Sequence, residues 1–103
     1  MTEQEFRLQA DRALEGVQKA LLPLADQEGF EVELQNGVLQ IVFEDPSPSK
    51  FVVSPNAPVR QIWVSAMAKG YKLSWEPDAQ AFALNGETLP QLLDRLTREF
   101  LQS

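Results

Sequence analysis

Apolar residues recur at helical spacing at both ends of this 103-residue chain and alternate at strand spacing in between. Near the start they fall within an arc of about 100° when placed on a helix, which is the stripe of an amphipathic helix. We therefore predict a helix from about residue 4 to 22, ending near Pro23. The stripe comprises Phe6, Ala10, Ala13, Leu14, Val17, Leu21 and Leu24.

A second helix is predicted after Thr88, whose hydroxyl can cap the first turn while Gln91 occupies the capping-box position. Pro90 is tolerated in that first turn. The apolar stripe of this helix comprises Leu89, Leu92, Leu93, Leu96 and Phe100.

Six short strands are predicted between the helices. Asn36-Gly37 separates the first two and is the strongest short signal for a tight hairpin. The strands are expected at about 30–35, 38–44, 50–54, 60–65, 71–75 and 79–84, with turns at 45–49 and 55–58. Short connections require antiparallel pairing. The predicted fold is α+β: a two-layer α-β sandwich in one domain, 1–103, with an antiparallel sheet of about six strands and both helices packed on one face.

Ten of the fifteen acidic residues lie in the first 45 positions, together with only three of the nine basic residues. This predicts an acidic face built from the N-terminal elements. The chain has no cysteine and no histidine, which excludes Cys/His zinc sites, Ser-His-Asp and Cys-His catalysis, and haem ligation through these residues. A metal would need carboxylates, carbonyls and water, a donor set for hard cations. The net charge of −6 makes nucleic acid an unfavourable partner.

No apolar run reaches the length of a membrane span, and the polar, acidic start is unlike a leader peptide, so we expect an intracellular protein.

Within the fourth strand, Ile62 and Val64 point one way and Trp63 the other. If the aliphatic pair faces the helices, Trp63 lies on the open face of the sheet, either packed on a neighbour or available as an interface anchor.

The run from Asn56 to Ser65, Asn-Ala-Pro-Val-Arg-Gln-Ile-Trp-Val-Ser, followed by Tyr71-Lys-Leu-Ser-Trp75, resembles the central signature of frataxins. Flanking segments agree with that family: Glu5-Phe6, Ala10-Asp11, the Asn36-Gly37-Val-Leu hairpin, and Gly86-Glu-Thr88 before the last helix. The resemblance covers essentially the whole chain and is greatest to the short bacterial form.

The resemblance implies an α-β-α fold and a non-enzymatic role in iron–sulfur cluster assembly. Frataxins bind iron weakly along an acidic ridge, and they dock on the complex of cysteine desulfurase and scaffold protein. The resemblance also implies a bacterial cytoplasmic protein. We expect a monomer without nucleic acid or membrane partners. The implied metal residues are Asp11, Glu31, Glu33 and Glu44, with Asp26 and Glu28 in a segment rich in acids in bacterial members, and Glu15 added from helical spacing. The implied partner-binding residues are Asn56, Arg60, Gln61, Trp63 and Lys72.

The chain also departs from the family pattern. Bacterial relatives carry a dense acidic run at the end of the first helix, where this chain has Gln18, Lys19, Leu22, Pro23 and Ala25. Ser54 stands where the family often has asparagine. The thinner ridge argues against high-capacity iron binding more than against docking. With Glu31 and Glu33 on one strand face and Asp11 nearby, two or three carboxylates can reach one ion, in a weak and poorly selective site.

Two further functions remain open from the residues alone. One is an acidic interaction domain that binds a basic partner by long-range attraction and has no metal role. The other is an enzyme with paired carboxylates, like a glycosidase. The acids lie on faces predicted to be exposed and nothing indicates a deep cleft, so an enzyme is the least favoured of these.

Overall fold

The computed structural model describes the whole chain from Met1 to Ser103, beginning with helix α1 at Glu3–Glu28. Thr2 caps it, its Oγ1 accepting a 3.1 Å hydrogen bond from the backbone N–H of Glu5. The prediction that this helix ends near Pro23 is wrong. Proline removes one helical hydrogen bond, but Leu21 and Ala25 on either side are buried, and their packing holds the segment helical. The helix ends at Gly29, whose φ of 82° closes its last turn.

The sheet has seven antiparallel strands in sequential order, against about six predicted. The additional strand, β7, is only two residues long and so leaves no periodic pattern in the sequence. The strands are β1 Glu31–Gln35, β2 Val38–Phe43, β3 Ser49–Asn56, β4 Gln61–Ala66, β5 Lys69–Glu76, β6 Ala81–Leu84 and β7 Glu87–Thr88.

Helix α2 spans Leu89–Leu101 and begins with the predicted capping box of Thr88 and Gln91. The predicted turn at 55–58 is placed too early, because β3 continues to Asn56 and a short 3-10 helix occupies Ala57–Val59. Pairing of β3 with β2 stops at Val53, so Pro55 lies where β3 has a free edge and a missing N–H is tolerated.

Both helices pack on one face of the sheet, as predicted, over a single apolar core of 22 buried residues. Phe43 lies within it, its ring centroid 5.1 Å from that of Phe30, 5.0 Å from Phe51 and 4.5 Å from Phe100. These aromatic contacts tie β2, β3, α2 and the residue before β1 together. The two-layer α+β fold is therefore confirmed. Neither helix is long and apolar enough to cross a membrane.

No helix covers the opposite face of the sheet, which we call the open face. Its residues follow from strand alternation and the pairing register. They include Glu31, Glu33, Gln35, Val38, Gln40, Val42, Lys50, Val52, Ser54, Asn56, Gln61, Trp63, Ser65, Lys72 and Ser74.

Candidate interaction surface: an acidic rim and the open sheet face

The predicted metal residues all lie around the edge formed by α1 and β1, and we call them the acidic rim. All seven side chains are exposed. They are Asp11, Glu15, Asp26, Glu28, Glu31, Glu33 and Glu44.

Asp11 and Glu15 lie on the helix side of β1. The chain turns back after Gly29, so β1 runs alongside α1 in the opposite direction. Asp11 and Glu15 line a groove of about 200 Å³ together with Leu14, Leu34 and Gly37. Asp11 and Glu15 begin a stripe along one face of α1, which continues at helical spacing through Gln18 and Leu22 to Asp26. Gln18 and Leu22 are uncharged and therefore interrupt this acidic stripe.

Glu31 and Glu33 lie on the other side of the same strand. Val32 and Leu34 pack against the core, so the alternating glutamates project from the open face. Glu33 lines a groove of about 280 Å³ with Gln35, Asn36, Val38 and Gln40. The predicted ridge therefore straddles β1 instead of lying on one side of it.

Asp26, Glu28 and Glu44 belong to one end of the molecule. Asp26 and Glu28 are in the last turn of α1, which contains no basic residue. Glu44 follows directly after β2, and Glu31 pairs with Val42, so Glu44 lies beyond the start of β1. Asp26 and Glu28 lie at the negative end of the α1 dipole, which is unfavourable for their negative charges.

No rim carboxylate takes part in a salt bridge. The four ion pairs of the protein lie elsewhere: Arg7–Glu3, Arg95–Glu87, Arg95–Glu99 and Arg98–Asp94. The charge of the rim is thus uncompensated by the protein. The structure contains no group of three or more acidic side chains placed to hold one metal ion. A cation on the rim would have at most two carboxylate ligands and would keep much of its water.

On the open face, four side chains of β4 and β5 contact one another: Gln61, Trp63, Lys72 and Ser74. The first three are predicted partner-binding residues. The indole Nε1 of Trp63 donates a 3.0 Å hydrogen bond to Oε1 of Gln61, whose Nε2 lies 3.4 Å from Oγ of Ser74. Lys72, paired with Trp63 across the strands, places its Nζ 4.8 Å from the ring centroid. These contacts fix the orientation of the indole while leaving the side chain 37% exposed.

A groove of about 510 Å³ surrounds the exposed face of Trp63. Most residues that line this groove were not predicted from the sequence, because half-buried aliphatic and small side chains form no recognisable motif. The lining residues are Val52, Ser54, Trp63, Val64, Ser65, Gly70, Tyr71, Lys72 and Leu84.

Asn56 and Arg60 flank the short 3-10 helix between β3 and β4 and are half-buried. Arg60 has a φ of 54° and its guanidinium donates to the carbonyl of Ala57 in its own turn. Its Nε is buried without a partner. The structure brings Gln61, Trp63 and Lys72 together, whereas Arg60 stabilises the turn beside them.

Comparison with known proteins agrees with this architecture. The model of the frataxin-like domain matches residues 1–103. The chain belongs to the frataxin-like family. An iron-sulfur cluster assembly protein CyaY of Janthinobacterium sp. (strain Marseille) is 38% identical over 73 residues, which cover 69% of this chain and 64% of that relative. The CyaY protein of Pseudomonas syringae pv. syringae (strain B728a) is 29% identical over 90 residues, 84% of this chain and 80% of the relative.

A solved frataxin from Psychromonas ingrahamii superposes on this frataxin-like chain with a TM-score of 0.70 at 18% identity, covering 100% of this chain and 92% of that one. At this identity the likeness concerns the fold. The resemblance seen in the Asn56–Ser65 segment and its flanks is thus confirmed at the level of the family and the fold.

Proposed function

We propose that this chain acts in iron–sulfur cluster assembly as a non-enzymatic regulator that docks on the complex of cysteine desulfurase and scaffold protein. Membership in the frataxin-like family carries the proposal, since relatives of this chain are iron-sulfur cluster assembly proteins. The acidic rim and the open face are the two docking surfaces. Weak iron binding on the rim accompanies docking.

The charge distribution supports docking through the rim. Seven exposed carboxylates without salt bridges create a negative potential that only a basic surface or cations can relieve. In the second half of the chain, by contrast, Glu87, Asp94 and Glu99 are each paired with an arginine. The rim charge is thus free to attract a basic partner and to accelerate its association.

The immobilised indole supports docking through the open face. Tryptophan is among the residues that contribute most to protein interfaces when it is buried in a pocket of the partner. Gln61 and Lys72 already hold the Trp63 ring, so little side-chain entropy is lost when a partner covers it.

The decisive experiment measures cluster assembly by purified desulfurase and scaffold protein at fixed iron, with and without this chain. We expect the chain to change the assembly rate, and both Trp63→Ala and a Glu31/Glu33 charge reversal to reduce that effect. Asp78→Asn, a charge change in the β5–β6 turn, serves as the control. An unchanged rate with the wild-type chain would contradict the proposal.

A second candidate function is an acidic adaptor without a metal role, favoured by the lack of three converging carboxylates. An NMR titration with ferrous and ferric iron distinguishes the two. Shifts confined to residues 11–45 support metal binding on the rim. No shifts together with salt-sensitive partner binding support the adaptor.

A further inference from the structure

The edge strand β1 has backbone groups that nothing in the protein pairs. Asn36 and Gly37 form a two-residue turn with φ of 53° and 75°, so the flanking pair Gln35 and Val38 exchanges both of its hydrogen bonds. Hydrogen-bonded pairs then alternate along the hairpin. The N–H and C=O groups of Val32 and Leu34 therefore point outward, away from β2.

This edge is open to a partner. β1 is the first strand in the sheet order and pairs only with β2. No hydrogen bond from a loop, cap or side chain reaches Val32 or Leu34. The opposite edge, β7, is two residues long, and its Glu87 is held by Arg95 of α2. Long exposed edges are usually blocked, because they offer a template for strand pairing.

Grooves flank β1 on both faces, and each is lined by at least one carboxylate. On the helix side, Asp11 and Glu15 line the groove of about 200 Å³, and on the open face Glu33 lines the groove of about 280 Å³. Side chains of an added strand would point alternately to the two faces. Basic side chains at successive positions would thus meet a carboxylate on either side.

We propose that β1 accepts an extended, lysine- or arginine-rich segment of a partner protein as an eighth strand of the sheet. Backbone hydrogen bonds to Val32 and Leu34 hold the segment, and the rim carboxylates select its charge. A second copy of this chain is a poor occupant, because two β1 edges would bring Glu31 and Glu33 of each copy close to those of the other. The inference deepens the proposed function by naming how the acidic rim recognises its partner.

The test uses the whole chain and a synthetic, end-capped lysine–threonine peptide of about six residues, the length of an ordinary strand. Its matched control is the same sequence with every backbone nitrogen methylated, which keeps the charge and blocks strand pairing. We expect the unmodified peptide to bind at least about tenfold more tightly, since one or two hydrogen bonds suffice for such a ratio. Hydrogen-exchange protection should rise at the amides of Val32 and Leu34 in its presence.

Charge selection is tested on the protein side by Asp11→Asn and Glu33→Gln, with Asp78→Asn as the variant of equal charge change. The two rim variants should weaken binding and the control should not. Equal affinity for both peptides, unprotected edge amides, or no binding at all would each overturn the inference. The assay contains neither iron nor assembly proteins, so its failure would leave the proposed function standing. Failure of cluster regulation would leave the peptide result unaffected.

Discussion

The indole Nε1 of Trp63 donates a 3.0 Å hydrogen bond to Oε1 of Gln61, two residues earlier on the same face of β4. This bond satisfies the only polar atom of the ring within the protein. The ring itself remains 37% exposed, beside Lys72. The arrangement is suited to binding, because a partner can cover the apolar ring without leaving an unpaired donor.

Replacing Trp63 by alanine is therefore expected to affect docking much more than folding. The affinity for the proposed partner, the desulfurase–scaffold complex, should fall by about 2 kcal/mol or more, the loss that defines an interface hot spot. The free energy of unfolding should change by only about 1 kcal/mol, as for most single substitutions. Calorimetry with the complex and urea unfolding measure the two quantities.

Ile62 provides the matched control, since it neighbours Trp63 in β4 but points into the core and is fully buried. Ile62→Ala should lower the free energy of unfolding by about 2–5 kcal/mol. Its folded fraction should keep the docking affinity. A comparable loss of stability in both variants would show that Trp63 is a structural residue.

The Asn36-Gly37 hairpin was predictable because the chemistry of the turn is local: both residues adopt positive φ, and two alternating segments flank them. The end of α1 was not. Pro23 is a local helix breaker, and only the burial of Leu21 and Ala25 against the sheet outweighs it. The residues next to Pro23 in the sequence do not reveal that Leu21 and Ala25 are packed in this way.

The candidate site likewise combines features that local sequence predicts with features that depend on tertiary structure. Alternation alone placed Glu31 and Glu33 opposite Val32 and predicted an exposed Trp63. Lys72 lies over Trp63 only because β4 and β5 pair in one particular register, and Arg60 turns back onto Ala57 only because of its left-handed conformation. These contacts depend on tertiary register and backbone geometry, which spacing does not determine.

The last turn of α1 carries Asp26 and Glu28 against the negative end of the helix dipole, without a basic residue nearby in the turn. Asp26→Asn and Glu28→Gln should each raise the free energy of unfolding by about 0.3–1 kcal/mol at low salt. Glu3→Gln, at the N-terminal turn of the same helix, should lower it. Urea unfolding at two salt concentrations measures these effects, which should shrink as salt rises. Stabilisation by all three changes would indicate general charge repulsion instead.

Arg95 clamps Glu87 of β7 to α2 with two hydrogen bonds of 2.8 and 2.9 Å. The hydrogen bond from Arg95, with a smaller Coulomb attraction, lowers the pKa of the Glu87 carboxyl from its ordinary value of 4.5, although partial burial opposes the change. A lowered folded-state pKa stabilises the protein above the ordinary value, and this contribution disappears as the pH falls through the folded-state pKa.

Glu87→Gln should therefore be less stable than the wild type at neutral pH, and the two proteins should converge in stability as the pH falls below 4.5. Thermal unfolding from pH 7 to 3 tests this. Glu76→Gln, which removes a carboxylate without a salt bridge, is the control and should show no such convergence. A constant difference between Glu87→Gln and the wild type at all pH values would refute the assignment to this ion pair.

Leu22 interrupts the stripe of acidic side chains along α1 and is 45% exposed. Leu22→Glu places a carboxylate one turn from both Gln18 and Asp26, and Gln18→Glu extends the run to Glu15. Cation affinity at weak oxygen sites rises with the number of charged ligands, so the double variant should bind divalent cations several-fold more tightly than the wild type. Its stability at low salt should fall, because unrelieved repulsion among neighbouring carboxylates destabilises the helix.

Manganese(II) line broadening in NMR spectra measures both the affinity for the cation and the location of its binding site. Ala20→Glu adds one charge on another face of α1, the same change as Leu22→Glu alone, and should leave the affinity of the rim almost unchanged. An equal gain from Ala20→Glu and from Leu22→Glu would mean that overall charge, and not the α1–β1 edge, attracts the cation.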